Sequence, residues 1–329
     1  MEKYILNLVA DSKVNTAMYK AKNDVADVLE TEGYNKINYT LYKSSKIKRI
    51  ISIIKMYKKC SRIKSGVIIY QYPLGPNIDK LLINKFSKNK NIKLIGFIHD
   101  INSLQFGLDA DDELENIKKF EGIIAHNSKM KLWLERQNVQ CPIVTLNVFD
   151  YLSNTHINAK PSKNNIVFAG NLKKAGFLGK INSNIIFDVY GPEPLNEYPK
   201  CINYLGMLPP SKLCENISEK FGLIWDGNSI DSCDGIQGEY EKYNSPHKFS
   251  LYLSTGTPVI AWKDAAVSKF IKENKVGVVV SSLTNIDKIL SHVTEKDYFE
   301  MKENAELIGR KIKNGYYTKN AVKKILNLV

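Results

Sequence analysis

Cysteine is scarce and scattered: Cys60, Cys141, Cys201, Cys214 and Cys233, with no Cys-x-x-Cys spacing among them. That excludes a disulfide framework and a zinc ribbon, and it fits a reduced compartment, so a cytoplasmic protein is expected. No run of ~18 apolar residues occurs, which excludes a spanning helix. The opening MEKYILNLVADSK has a short apolar core and no small-residue cleavage site, so no signal peptide is expected. The first apolar run is not followed by Gly-x-Gly-x-x-Gly; the turn reads VADSKVNTA. Without glycines there a dinucleotide pyrophosphate cannot approach closely, which disfavours a dehydrogenase. Acidic residues are also in deficit, 34 against 47 basic ones, for a formal charge of +13.

What is present suits two folded domains. The chain has 329 residues, 43% hydrophobic and 25% charged, an ordinary globular balance of about twice the usual domain length. Short runs rich in Ile, Val and Tyr at 4–9, 36–42, 66–72, 93–99, 122–126 and 142–146 read as buried parallel strands. Helix-length segments at 16–32, 46–60, 77–89 and 128–136 lie between them. A polar stretch at 151–164 reads as a linker. Strand-like runs resume at 165–170, 185–191, 202–206, 221–227, 257–262 and 276–280, with helical segments at 210–219, 246–255, 265–274 and 285–292. From Thr294 the pattern is helical, with a break at Asn314-Gly315. The alternation predicts an α/β protein of two Rossmann-like domains facing a cleft: 1–150, a linker at 151–164, 165–313, and a terminal helix over 314–329.

Open sheets of this kind place ligands at the carboxyl ends of their strands. Thr16, beside Asn15, opens the first helix there, either as a cap or as a ligand contact. The fourth run ends in His99-Asp100, a pair able to supply a general base and a polar partner for a substrate hydroxyl. Asp109-Ala110-Asp111 matches a metal-binding pattern, but it opens an acidic helix start where carboxylates complement the dipole, so the structural role is preferred. After the linker, Gly170 and Asn171 end a strand and Lys173 and Lys174 follow, a turn that can approach a pyrophosphate. The segment FGLIWDGNSIDSCDGIQGEYEKYNSPHKFSLYLSTGTPVIAW places a long polar loop, from Asp226 to Asn244, before a helix that starts near Pro246. His247 and Lys248 at that start form an anion-binding end suited to a diphosphate.

Most of the excess charge sits in one segment. Lys43, Lys46, Lys48, Arg49, Lys55, Lys58, Lys59, Arg62 and Lys64 occur with no acidic residue among them. Ile47, Ile50, Ile51, Ile54 and Tyr57 or Lys58 recur at helical spacing, predicting an amphipathic helix. Two accounts are open. The apolar stripe packs on the first sheet and the lysines are solvated, or the lysines over 43–64 hold the protein peripherally against anionic phospholipid on the inner membrane face. Nucleic-acid binding is not expected, since the segment lacks interleaved stacking aromatics beyond Tyr57.

FGLIWDGNSIDSCDG, NSPHKFSLYLSTGTPVIAWKDAA and FIKENKVG closely resemble bacterial galactofuranosyltransferases of O-antigen assembly. More distantly they resemble the accessory glucosyltransferases that extend N-acetylglucosamine on serine-rich adhesins. Both have the two-Rossmann GT-B architecture, and the resemblance runs nearly end to end. It implies UDP contacts at Thr16, Lys173, Lys174 and Lys248, within a donor set of Gly170, Asn171, Leu208, Asp226, Ser245, Pro246 and His247. The adhesin-type enzymes have an arginine where Lys174 stands and a tyrosine near Met207-Leu208, which favours the galactofuranosyl branch. The resemblance implies transfer of a hexose, galactofuranose or glucose, from a UDP-sugar to a hydroxyl of a glycan, glycolipid or glycoprotein acceptor. His99 and Asp100 are the catalytic candidates. No metal or cofactor is expected, because lysines and a helix start can neutralise the diphosphate. Self-association is left open. The rivals are a nucleotide-sugar epimerase of the same architecture and a non-catalytic nucleotide-sugar-binding partner of another transferase.

Overall fold

A computed structural model describes residues 2–11, 17–42, 45–155 and 161–329. The chain divides into two units, Met1–Asp150 with Gly315–Val329, and Tyr151–Asn314.

The first unit alternates β1 (Lys3–Ala10), α1 (Ala17–Thr31), β2 (Asn35–Leu41), α2 (Lys46–Arg62), β3 (Gly66–Tyr72), α3 (Pro76–Ser87) and β4 (Ile92–Ile98). There follow α4 (Asn102–Phe106), α5 (Asp111–Ile117), β5 (Gly122–Ala125), α6 (Ser128–Arg136) and β6 (Ile143–Thr145). The strands pair in the order β2-β1-β3-β4-β5-β6, all parallel. Parallel strands need crossovers that cover both faces, which is why β3, GVIIYQY, is buried along its whole length and shows no alternation.

The second unit contains β7 (Lys163–Ala169), β8 (Phe187–Tyr190), β9 (Ile202–Tyr204), α7 (Pro210–Asn216), β10 (Glu219–Ile224), α8 (Gly235–Tyr240) and α9 (His247–Ser254). It continues with β11 (Val259–Trp262), α10 (Ser268–Asn274), β12 (Gly277–Val280), α11 (Ile286–Ser291) and α12 (Glu295–Lys313). Its order is β12-β11-β10-β7-β8-β9, again parallel throughout. The stretch after Asp226, read as a continuous polar loop, holds the short helix α8. Asp234 turns its carboxylate back onto the amides of Asn228 and Ser229 and so closes the loop locally.

The packing of α2 corrects one expectation. Ile47, Ile50, Ile51 and Ile54 are 72%, 55%, 46% and 48% exposed, so this stripe does not pack on the sheet. Ile53, Met56 and Cys60 face the core instead, on the opposite side of the same helix. Two apolar stripes exist on α2, and the sheet accepts the narrower one. Lys43 lies outside the described residues.

The chain returns to the first unit as α13 (Tyr316–Leu326), packed on α1, β5 and β6. Gly315 precedes it at φ +69°, and a Cβ there would press into Val28, so glycine is required at this turn. Glycine has no capping side chain, and Asp150 takes over that task. Its carboxylate accepts from Tyr317 N at 3.2 Å and Thr318 N at 2.6 Å. Burial pushes the Asp150 carboxyl up to about 7 against the pull of these amides. A raised carboxyl stabilises the fold fully below the unfolded value near 4 and loses that contribution as pH climbs to about 7. Asp150→Asn should therefore gain stability relative to the unsubstituted protein between pH 4 and 7, at up to ~1.4 kcal/mol for each step of one in pH. Asp150→Ala, which leaves the helix uncapped, should lose ~1–2 kcal/mol at pH 4. Urea unfolding across this range checks both; parallel curves for Asp150→Asn and the parent would refute the first.

Candidate active site

Each sheet reverses its winding once, between β1 and β3 in the first unit and between β7 and β10 in the second. Helices leave in opposite directions at such a point, and the strand ends there lie open to a ligand.

In the second unit β10 runs into Trp225 and Asp226, and α9 begins beside it with Pro246 as its N-cap. Lys248 Nζ donates to Asp226 Oδ1 at 2.6 Å and to Trp225 O at 3.0 Å, with Glu241 Oε1 at 3.8 Å. It also lies 4.9 Å from the Phe168 ring centre. Burial works against the Lys248 charge, but Asp226 and Glu241 outweigh it and raise its pKa. Burial pushes the Glu241 carboxyl above the usual carboxylate range; Lys248 opposes this and the neighbouring Asp226 adds to it. The outcome is a cation held by two carboxyls, one of them biased toward its protonated form.

The end of β7 is fastened to the same place. Gly227 N donates to Lys174 O at 2.8 Å, and the Lys174 charge is felt at Glu241. Asn171 caps the following turn through Lys173 N at 2.9 Å and donates to Glu193 at 2.8 Å. Tyr252 of α9 accepts from Ala169 N at 2.8 Å. At Gly191 a Cβ would collide with the Gly170 carbonyl, so only glycine lets the ends of β7 and β8 interlock.

The structure thus brings Lys174, Asp226 and Lys248 together, with Gly170, Asn171 and Lys173 on the adjoining turn. Ser245 is buried and Pro246 caps α9, while the His247 ring lies 4.9 Å from that of Tyr151. Leu208 is in the loop before α7, joined to this edge through the bond from Gly191 N to Gly206 O. Thr16 lies outside the described residues.

In the first unit, His99 follows β4 and is buried between the rings of Phe97 and Phe149, 5.2 and 5.4 Å away. Its Nε2 meets Gln71 Oε1 at 2.8 Å. Gln71 Nε2 donates to Leu6 O and Asn7 Oδ1, both at 3.2 Å, which fixes the amide. His99 Nε2 is therefore the donor, its proton facing the Gln71 amide oxygen. Asp100 is half-buried, and its charge reaches Lys22. Lys22 is fully buried and donates to Gln71 O at 3.0 Å and to Pro73 O. Burial lowers its pKa to about 8 against Asp79 and Asp100. Burial also holds the His126 ring down at about 4, so it is neutral at physiological pH.

The acidic run at 109–113 is occupied with folding. Asp109 accepts from Asp111 N at 2.8 Å, and Glu113 accepts from Asn102 N and Ser103 N at 2.9 and 2.7 Å. Among the described residues no group of three or more His, Cys, Asp or Glu side chains is placed to hold a metal ion.

Sequence reasoning missed Glu241, Gln71 and Lys22. Glu241 and Lys22 sit among other charged residues and give no local signal. Gln71 gave one, as the sole amide inside the apolar run GVIIYQY.

Two doubly wound parallel sheets, each with a polar cluster at its reversal point, make up the GT-B architecture. The particular family follows from comparison. Family models described as the N-terminal and C-terminal domains of glucosyltransferase 3-like proteins match residues 2–148 and 166–325, and the chain belongs to this family. It is 29% identical over 331 residues to beta-1,6-galactofuranosyltransferase WbbI of Escherichia coli, covering 98% of each chain. It is 26% identical over 335 residues to Glucosyltransferase 3 of Streptococcus gordonii, covering 98% of this chain and 97% of the other. The solved structure of Anabaena HepE in complex with UDP and glucose shares the fold, with a TM-score of 0.60, 12% identity and 100% of both chains covered. The resemblance drawn from the segments between Phe221 and Gly277 is borne out.

Removing one member of a buried charge cluster strands the others. Lys248→Ala should cost ~3–5 kcal/mol in urea unfolding. Lys248→Met combined with Asp226→Asn should recover most of that loss. If Lys248→Ala unfolds like the parent, the carboxyls are not confined as described.

Proposed function

We propose that the protein transfers a hexose, galactofuranose or glucose, from a UDP-sugar to a hydroxyl of a bacterial surface glycan, glycolipid or glycoprotein. The observation that carries this reading is the charge cluster at the β7/β10 reversal. Lys173 and Lys174 stand on the turn after β7, and Lys248 is held by Asp226 and Glu241 at the start of α9. In this reading the second unit binds the donor. A diphosphate meets Lys173 and Lys174 directly, and the first amides of α9 add their partial positive charge. Asn171, Leu208, Ser245 and His247 shape the same seat around the nucleotide and sugar.

The first unit receives the acceptor at the β1/β3 reversal. Asp100 accepts the hydrogen bond of the incoming hydroxyl and takes its proton as the glycosidic bond forms, with His99 as its neighbour in that task. UDP leaves as its charge is met by lysines and amides, so no metal or cofactor is needed. The relatives act on different sugars, and the lysine at 174 with Met207-Leu208 is the feature that favours galactofuranose. The acceptor is lipid-borne in this reading, and a peripheral contact with anionic membrane through 43–64 brings the enzyme to it. Self-association is compatible with it and carries no step.

UDP release should depend on an added hydroxyl acceptor and persist in excess EDTA. Formation of a new UDP-sugar, or release of free UDP, without any acceptor would make the protein an epimerase. Loss of turnover in EDTA with recovery by magnesium or manganese would overturn the metal-free account. Asp100→Asn keeps the shape but cannot take a proton, so it should lower kcat ~100–10,000-fold while UDP affinity by calorimetry stays within about twofold. Near-parental kcat would remove Asp100 from the chemistry.

A further inference from the structure

We propose that the groove between α2 and the edge strand β2 seats phosphorylated headgroups of an anionic lipid bilayer, with the exposed isoleucines of α2 entering the interfacial layer. The groove has a volume of about 580 Å³ and is lined by Lys48, Lys55, Lys58, Lys59 and Arg62 from α2. The facing strand contributes Asn38 and Thr40 from one face of β2, with Tyr42 just past its end. No carboxylate lines it.

Three features separate this groove from a merely solvated basic surface. First, the ion pairs of the described residues use none of these five cations. Second, α2 opens with Lys46, Lys48 and Arg49 and has no acidic residue in its first turn. Cations there oppose the helix dipole, a folding cost that a bound anion offsets. Third, at ~100° per residue the groove cations and the four exposed isoleucines occupy adjoining arcs of about 100° each. A bilayer surface offers phosphate and hydrocarbon side by side in that arrangement, whereas a nucleic acid or free phosphate has nothing for the isoleucines. α2 has 17 residues with many charges, and no described helix is long and apolar enough to cross a membrane, so it lies on the surface.

The groove is also linked to the acceptor end of the sheet. Asn7 donates to Asn38 at 3.3 Å, Gln71 donates to Asn7 at 3.2 Å, and His99 meets Gln71 at 2.8 Å. Delivery of a lipid-borne acceptor along this side rests on the transferase reading. The lipid contact itself rests on the groove and is tested without turnover.

The whole protein is pelleted with vesicles of phosphatidylcholine, with and without phosphatidylglycerol, at low and high salt. Binding only to the phosphatidylglycerol vesicles, lost at high salt, is expected. Charge reversal of Lys55, Lys58 and Lys59 to Glu should lower binding at least fivefold per site, the factor equivalent to ~1 kcal/mol per charge at an anionic surface. Ile50→Ser with Ile54→Ser should lower it about tenfold or more, each buried apolar side chain contributing on that order. UDP affinity should be unchanged in both variants, which shows that they are folded. Excess inorganic phosphate should not displace the protein. Protein that stays in the supernatant overturns the proposal, as does equal binding to pure phosphatidylcholine. Displacement by inorganic phosphate, or full binding by the isoleucine variant, overturns it in favour of a simple phosphate site.

Discussion

A parallel sheet that reverses its winding cannot be roofed where it reverses. Crossovers between parallel strands are right-handed, so helices before and after the reversal leave for opposite faces. The remaining strand ends are near the core yet reachable from outside, a place where this fold tolerates half-buried charge. Both units obey the constraint. His99 and Gln71 gather beside the β1/β3 reversal, and Asp226, Glu241 and Lys248 beside the β7/β10 reversal. Elsewhere in the sheets the runs are mostly apolar, because a buried polar group without a partner costs ~1–3 kcal/mol, and the buried carboxyls of Asp188 in β8 and Glu219 in β10 are paired with Lys163.

Lys22 and Lys248 show how the contacting group decides the state of one side chain. Lys22 donates its hydrogen bonds to backbone carbonyls, and the carboxylates of Asp79 and Asp100 act on it only at longer range. Burial then dominates and its pKa falls. Lys248 has Asp226 in direct contact, so its charge is secured. A secured charge is also a compensated one. On the proposed donor placement, the uncompensated attraction for a diphosphate comes from Lys173 and Lys174 on the turn, and Lys248 serves more to hold α9 against β10 than to draw the anion in.

How far the sequence revealed this depends on whether a signal was local. The strands were legible because strands buried on both faces are continuous apolar runs, as in β3 and β4. The tail was legible through Asn314-Gly315, where the chain turns between α12 and α13. The helix α2 was legible as a helix but not in its orientation, since Ile53, Met56 and Cys60 make as regular a stripe as the four isoleucines, and only the sheet decides between them. Glu241 was illegible for a different reason. Its neighbours Glu239, exposed, and Lys242, half-buried, are charged as well, so nothing in EYEKYN marks the one acid that is buried. The pairing of Asp226 with Lys248 joins residues on either side of that loop, a relation that exists only once the loop has closed.

The return of the chain sets a condition on the first unit. β5 presents Gly122 toward Ile325, and a Cβ at Gly122 would meet that side chain at 2.8 Å. The glycine exists to let α13 approach, and Ala321, Val322 and Ile325 are buried there in turn. Lys93 reaches the last residue, donating to Val329 O at 2.7 Å. A first unit lacking α13 would leave the β5 face uncovered and Asp150 without the amides it accepts from. Its sheet can begin to form early, because β1 to β4 are neighbours in sequence as well as in space. Its final packing waits for α13, which follows the whole second unit in the chain. The polar groups beside His99 are thus set in a unit whose completion depends on the far end of the chain, with Asp150 and Gly315 as the fastening.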